Sequence, residues 1–104
     1  MSYELRIIPE CPNSAPALEL FCRALAAEDA DGELRVVELD SEEQAESLRF
    51  HGSPSFIAAG QDLFPSSASP ALTCRVYPSE IGFAGMPSQE ELQTALRTRT
   101  GTGE

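Results

Sequence analysis

The sequence is poor in basic residues. Lys and Arg total 7 against 17 Asp and Glu, a formal net charge of −10 over 104 residues. Such a surface repels phosphate backbones and anionic lipid, so neither nucleic acid nor a membrane is an expected partner. Long apolar runs are absent too: no stretch approaches the roughly 20 residues that span a bilayer. Met1-Ser2-Tyr3-Glu4 has no basic segment followed by an apolar one, which predicts no secretory signal and a cytoplasmic location. Cys11, Cys22 and Cys74 are an odd set with no Cys-x-x-Cys pair, and His51 is the single histidine. That composition argues against a disulfide scaffold and against a protein-only zinc site. The carboxylates show no metal-loop spacing and read as a solvated acidic face. There is no internal repeat and no linker. What remains is one domain with an ordinary globular composition, long enough to bury a core.

The local patterns predict an α/β chain of order β-α-β-α-β-β-α. Residues 3–8 alternate and then turn apolar, as a strand does. The breaker-rich Pro9–Pro16 stretch precedes a helix at about 14–29, with Leu18, Phe21, Cys22 and Leu25 as its apolar stripe. Glu19 and Arg23 stand four apart, as an exposed pair. Residues 34–39 are a β-branched second strand. Ser41 and Gln44 form a capping box for a second helix, which runs to about Phe50 and is stopped by Gly52. Residues 55–59 are a third strand, and Gly60-Gln61-Asp62 a turn. Residues 62–72 are too polar and Pro/Ser-rich for regular structure. Residues 73–77 are the fourth strand, and 81–86 a loop. Ser88 and Glu91 open a last helix that ends near 98. The domain is 1–98, followed by a flexible tail at 99–104. The first unit has the length of a right-handed parallel crossover. The last two strands form an antiparallel pair, and one four-stranded mixed sheet with helices on both faces accounts for every element.

Cys11 is the residue best placed for chemistry. It lies just past the first strand and just before a helix, where ligands gather in α/β folds. Unpaired N–H groups at a helix N-terminus favour thiolate, and thiolate is the nucleophile. Pro12 presets the backbone for helix entry. Pro16 complicates this, because in a helix interior it removes a hydrogen bond. A start at Asn13 or Ser14 puts Pro16 in the first turn and leaves Cys11 short of the helix end. Gly52-Ser53-Pro54-Ser55 is the second feature: a proline opening a strand, with a Ser53–Pro54 bond able to be cis. His51 ends the second helix, where a cation suits the dipole, and it is also within reach of a Cys11 thiolate across the Ser53-Pro54 loop. Cys22 falls on the apolar stripe and reads as core. Cys74 reads as a small apolar strand residue, a resolving thiol, or a second soft ligand for Hg(II) or Cu(I). Arg75 and Tyr77 share the strand face opposite Cys74, which reads as exposed or as anion-binding.

Together these features resemble the thioredoxin-like superfamily over residues 3–98. Cys11-Pro12-Asn13-Ser14 stands where that family carries Cys-x-x-Cys, and Ser53-Pro54 where it carries its cis-proline. Gly85, ahead of the last helix, is also family-like. A closer likeness is to small bacterial thioredoxin-like or glutaredoxin-like proteins, a group sometimes labelled alkylmercury lyase-like. They share Cys11-Pro12-Asn13, His51-Gly52-Ser53-Pro54, Gly60-Gln61-Asp62-Leu63-Phe64 and Thr73-Cys74-Arg75-Val76-Tyr77. The resemblance implies catalytic Cys11 and Ser14, with Pro12, His51, Ser53 and Pro54 at the substrate. Ser53 then offers its backbone to an extended segment. Ser14 replaces the second family cysteine, the thiol that resolves a mixed disulfide.

The expectation is a monothiol thiol–disulfide oxidoreductase with no bound cofactor, glutathione as co-substrate, and a thiol- or disulfide-bearing protein as partner. Ser14 would donate a hydrogen bond to the Cys11 thiolate. One alternative is a non-catalytic thioredoxin-fold module that docks a protein or a second copy of itself. Another is a soft-metal binder using Cys11 and Cys74.

Overall fold

Tyr3, Leu5 and Ile7 alternate with Glu4 and Arg6, and a period of two makes a strand. In the computed structural model, which describes residues 2–30, 32–64, 70–73, 77–79 and 82–99, this strand is β1 (Ser2–Ile7). Then follow α1 (Ser14–Ala27), β2 (Glu33–Glu38), α2 (Glu42–Leu48), β3 (Ser55–Ala58), β4 (Gln61–Asp62), β5 (Tyr77–Ser79), β6 (Gly82–Ala84) and α3 (Gln89–Arg99). The main sheet has four strands in the order β2-β1-β3-β4. β1 pairs parallel with β2, and β3 pairs antiparallel with both β1 and β4. Among the described residues the chain is therefore an α/β protein with a four-stranded mixed sheet and three helices.

The alternation in β1 sorts the two faces of the sheet. Tyr3, Leu5 and Ile7 join Ala17, Phe21 and Ala24 of α1, Leu92 and Leu96 of α3, and Phe56 in one core. Phe56 meets Phe21, Phe64 and Tyr77 edge-on, with ring centroids 5.2, 6.3 and 6.1 Å apart. Such edge contacts add about 0.5–1.5 kcal/mol each beyond burial. Arg6 points the other way and donates to the Leu48 carbonyl oxygen at 3.2 Å. That carbonyl belongs to the last residue of α2, so α2 lies on the opposite face. There Leu39, Ala45 and Phe50 form a second cluster, packed by Ile8, Val37 and Leu72.

Local chemistry starts α2 and α3 where it was expected to. The Ser88 hydroxyl accepts from the Glu91 N–H at 3.0 Å, and the Glu91 carboxylate accepts from the Ser88 N–H at 2.9 Å, a complete capping box. At α2 the Ser41 hydroxyl accepts from the Gln44 N–H, while the Gln44 side chain reaches one residue further back, to the Asp40 N–H. Glu28 then ties the end of α1 to α3, accepting from Gln93 at 2.8 Å and Arg97 at 3.0 Å. Glu19 and Arg23 pair at 3.5 Å in solvent.

Several expectations are corrected. The fourth strand of the sheet is β4 at Gln61–Asp62, where a turn was expected. A positive φ at both Ala59 and Gly60 makes the reversal instead, and the Asp62 carboxylate holds the Phe64 N–H at 2.8 Å. Of the strand expected at 73–77, Cys74, Arg75 and Val76 lie outside the described residues. Tyr77 opens β5, which pairs with β6 as a separate hairpin, so part of the expected 81–86 loop is strand. The order is β-α-β-α-β-β-β-β-α. Helix α2 stops at a left-handed Arg49 (φ 54°), earlier than a Gly52 stop requires. Cys22 is exposed. The buried face of α1 is Ala17, Phe21 and Ala24, displaced by one residue from the expected stripe. Tyr77, read as part of an exposed or anion-binding strand face, is buried among aromatic rings. Of the expected tail, residues 100–104 lie outside the described residues, and no helix among the described residues is long and apolar enough to cross a membrane.

Candidate functional site

Two consecutive turns set Cys11. Its N–H donates to the Ile8 carbonyl oxygen at 3.3 Å, closing a turn over Pro9 and Glu10. Proline second and a positive φ third (Glu10, 61°) are the signature of a type II turn. A non-glycine residue in that region costs about 1–2 kcal/mol. The Ser14 N–H then donates to the Cys11 carbonyl oxygen at 3.2 Å, closing a second turn over Pro12 and Asn13. Helix α1 begins at Ser14 with Asn13 as a cap that makes no side-chain bond. Pro16 therefore sits in the first turn, where its missing N–H is tolerated. Two of the usual orphan amides are gone: Pro16 has none, and Ser14 spends its own on Cys11. The helix end consequently offers the cysteine less than a standard N-terminus does.

Ser14 does not serve the sulfur as expected. Its hydroxyl donates to the Cys11 carbonyl oxygen at 3.1 Å. The serine is a clamp on the backbone of the cysteine, reinforcing the bond from its own amide. Cys11 itself is 7% exposed, whereas Pro12 beside it is exposed.

The second half of the site is the entry to β3. Ser53–Pro54 is cis. Arg6 pairs with Ser55 in the β1–β3 register, and continuing that register sets Ile7 level with Pro54 and Ile8 with Ser53. The Cys11 turn hangs from Ile8, so the cysteine loop and the Ser53-Pro54 loop share one end of the central strand pair. Three bonds fix the latter loop. The Tyr77 hydroxyl donates to the Pro54 carbonyl oxygen. The Ser55 hydroxyl donates to the Gly52 carbonyl oxygen at 2.6 Å. The Ser53 N–H donates to the Thr73 carbonyl oxygen at 2.8 Å. Yet the Ser53 hydroxyl and His51 Nδ1 are both buried without a hydrogen-bond partner.

His51 is displaced from its expected part as a helix cap. It lies two residues beyond the Arg49 cap, and the side chain that donates to the last α2 carbonyl is Arg6. Alternation in β1 places Arg6 on that face, which was the available signal for it. Gly85 does reach the site: a Cβ there would lie 2.2 Å from Asn13 Nδ2, so the loop before α3 packs directly on the Cys11 loop. Cys74, considered as a resolving thiol or soft-metal ligand, lies outside the described residues. Among the described residues, no three His, Cys, Asp or Glu side chains are grouped to hold a metal. Sequence reasoning missed the contacts of Leu72, which sits in a stretch without periodicity, and of Thr73, which was read only as the start of a strand.

Compared with known families, characterised proteins and solved structures, the chain has no match. The class defined by its own geometry is an α/β protein that carries a cysteine turn and a cis-proline loop at one end of a mixed sheet.

Proposed function

We propose that the chain is a thioredoxin-like monothiol oxidoreductase with Cys11 as nucleophile and glutathione as co-substrate. One observation carries the reading: a cysteine between the central strand and the first helix lies at the same sheet end as a cis X-Pro that opens an antiparallel strand. The strand order β2-β1-β3-β4, with a parallel crossover and a final helix packed beside α1, supports the thioredoxin-like frame.

In the proposed cycle the Cys11 thiolate attacks the glutathione sulfur of a protein–glutathione mixed disulfide. The protein leaves as a thiolate and takes up a proton. Cys11 is left in a disulfide with glutathione. A second glutathione thiolate attacks the glutathione sulfur of that disulfide, and Cys11 leaves as thiolate while oxidised glutathione departs. No second protein thiol is needed, which agrees with Ser14 at the family's second cysteine position. Ser14 is a positioning residue that holds the Cys11 backbone. Pro12, His51, Ser53 and Pro54 border the approach to the sulfur.

The test is deglutathionylation of a protein mixed disulfide. Cys11→Ser abolishes turnover, while Cys74→Ser keeps it. Turnover retained by Cys11→Ser overturns the reading, and turnover lost with Cys74→Ser replaces it with a two-thiol cycle. The burial of Cys11 favours a second reading, a non-catalytic module that binds an extended peptide at the same sheet end. Under that reading neither cysteine supports turnover.

A further inference from the structure

The backbone edge at residues 50–53 is covered by the chain itself. The Ala71 N–H donates to the Phe50 carbonyl oxygen at 3.1 Å, and the Thr73 carbonyl oxygen accepts from the Ser53 N–H at 2.8 Å. The two bonds advance in the same direction along both segments, as when a strand is added to an edge. Between them Leu72 packs against the cluster of Leu39, Ala45 and Phe50. Ile8, whose carbonyl holds the Cys11 turn, packs on the same cluster.

This cover is partly exposed. Leu72 is half-buried and Thr73 exposed. It is also incomplete. It satisfies the Ser53 N–H but leaves the fully buried Ser53 hydroxyl and His51 Nδ1 without partners. An added strand with better-placed polar groups can meet what the internal segment does not. A partly exposed segment opens locally at a lower free energy than global unfolding.

We infer that residues 70–73 are an autoinhibitory strap: they occupy, as an internal peptide, the edge at Phe50–Ser53 that an extended polypeptide segment of a substrate or partner takes when it binds. The inference rests on the proposed reading for its catalytic consequence, though binding by itself does not require Cys11. While the strap is down, the apparent affinity for an outside peptide is reduced by the fraction of molecules that are open. A small disulfide needs no strand edge, so the strap selects against polypeptides only.

Two variants release the strap in different ways. Leu72→Ala removes its apolar anchor, and Ala71→Pro removes the N–H given to Phe50. The probe is a synthetic peptide copying residues 68–75 with Ser in place of Cys74, followed at the Ser53 amide resonance. Both variants should speed Ser53 amide exchange by about tenfold or more and tighten peptide binding by about tenfold over wild type. Turnover of a peptide disulfide should rise severalfold while turnover of a small disulfide stays level. Unchanged Ser53 exchange in both variants, equal peptide affinity in variants and wild type, or equal gains on both disulfides would overturn the strap. If the peptide binds tighter but no form of the chain turns over, the strap stands and the Cys11 mechanism falls.

Discussion

The hydroxyl of Ser14 donates to the carbonyl oxygen of Cys11 at 3.1 Å, so the motif serine grips the backbone of the cysteine and not its sulfur. Ser14→Ala therefore lowers stability by about 1 kcal/mol, the usual worth of one hydrogen bond, and changes the alkylation rate of Cys11 by no more than about twofold. Denaturant melts and peptide-resolved alkylation check the two halves. A rate change of an order of magnitude would mean that the hydroxyl acts on the sulfur.

The Tyr77 hydroxyl reaches Pro54 across 23 residues of sequence, and both groups are buried. Tyr77→Phe keeps the ring among Phe56 and Phe64 but strands a carbonyl. The expected cost is about 1–3 kcal/mol, the penalty for an unsatisfied buried acceptor. Chemical denaturation measures it. A neutral substitution would show that the Pro54 carbonyl is satisfied without the tyrosine.

Asn13 fills the space a side chain would need at Gly85, with 2.2 Å between Nδ2 and the added Cβ. The glycine is required for room and not for its φ, which is not among the left-handed ones. Gly85→Ala destabilises by about 1 kcal/mol, because the flexible, half-buried Asn13 can swing aside. In Asn13→Ala the same substitution is nearly free, so a double-mutant cycle gives a coupling of about 0.5–1 kcal/mol. Additive effects would remove the contact.

Cys22 and Phe21 are neighbours in sequence with opposite surroundings. Cys22 is exposed and Phe21 is fully buried. Cys22→Ser should stay within about 0.5 kcal/mol of wild type. Phe21→Ala should cost about 3–5 kcal/mol, close to the whole stability of many small domains. Thermal melts of the two variants decide it, and a large loss with Cys22→Ser would return that residue to the core.

The capping box at α3 is complete in both directions. Ser88→Ala leaves the Glu91 N–H without its acceptor and lowers stability by about 1 kcal/mol. Because Leu92 and Leu96 anchor α3 in the core, the loss appears as a lower midpoint with an unchanged denaturant slope. A reduced slope would show α3 detaching on its own.

Local chemistry was legible where it is decided within a few residues. Ser41 with Gln44 and Ser88 with Glu91 mark helix starts because a short side chain satisfies an orphan amide three positions on. The alternation of Tyr3, Leu5 and Ile7 marks the central strand, and the length of the first crossover marks its parallel partner. The position of Cys11 between strand and helix, and of Pro54 before a strand, followed from the same order of elements.

Other features were settled only by tertiary packing. Helix α1 is apolar around much of its circumference, so its sequence allows either the Leu18–Cys22 side or the Ala17–Ala24 side to turn inward. The close approach of α3 selects the small alanines with Phe21 between them. Pairing to β3 makes Gln61 and Asp62 a strand, although their composition is that of a turn. The aromatic cluster buries Tyr77. The contact of Ala71 and Thr73 with Phe50 and Ser53 joins backbone groups about twenty positions apart in sequence. Backbone hydrogen bonds carry no side-chain signature, so a polar, aperiodic stretch gives no sign of what its main chain will meet.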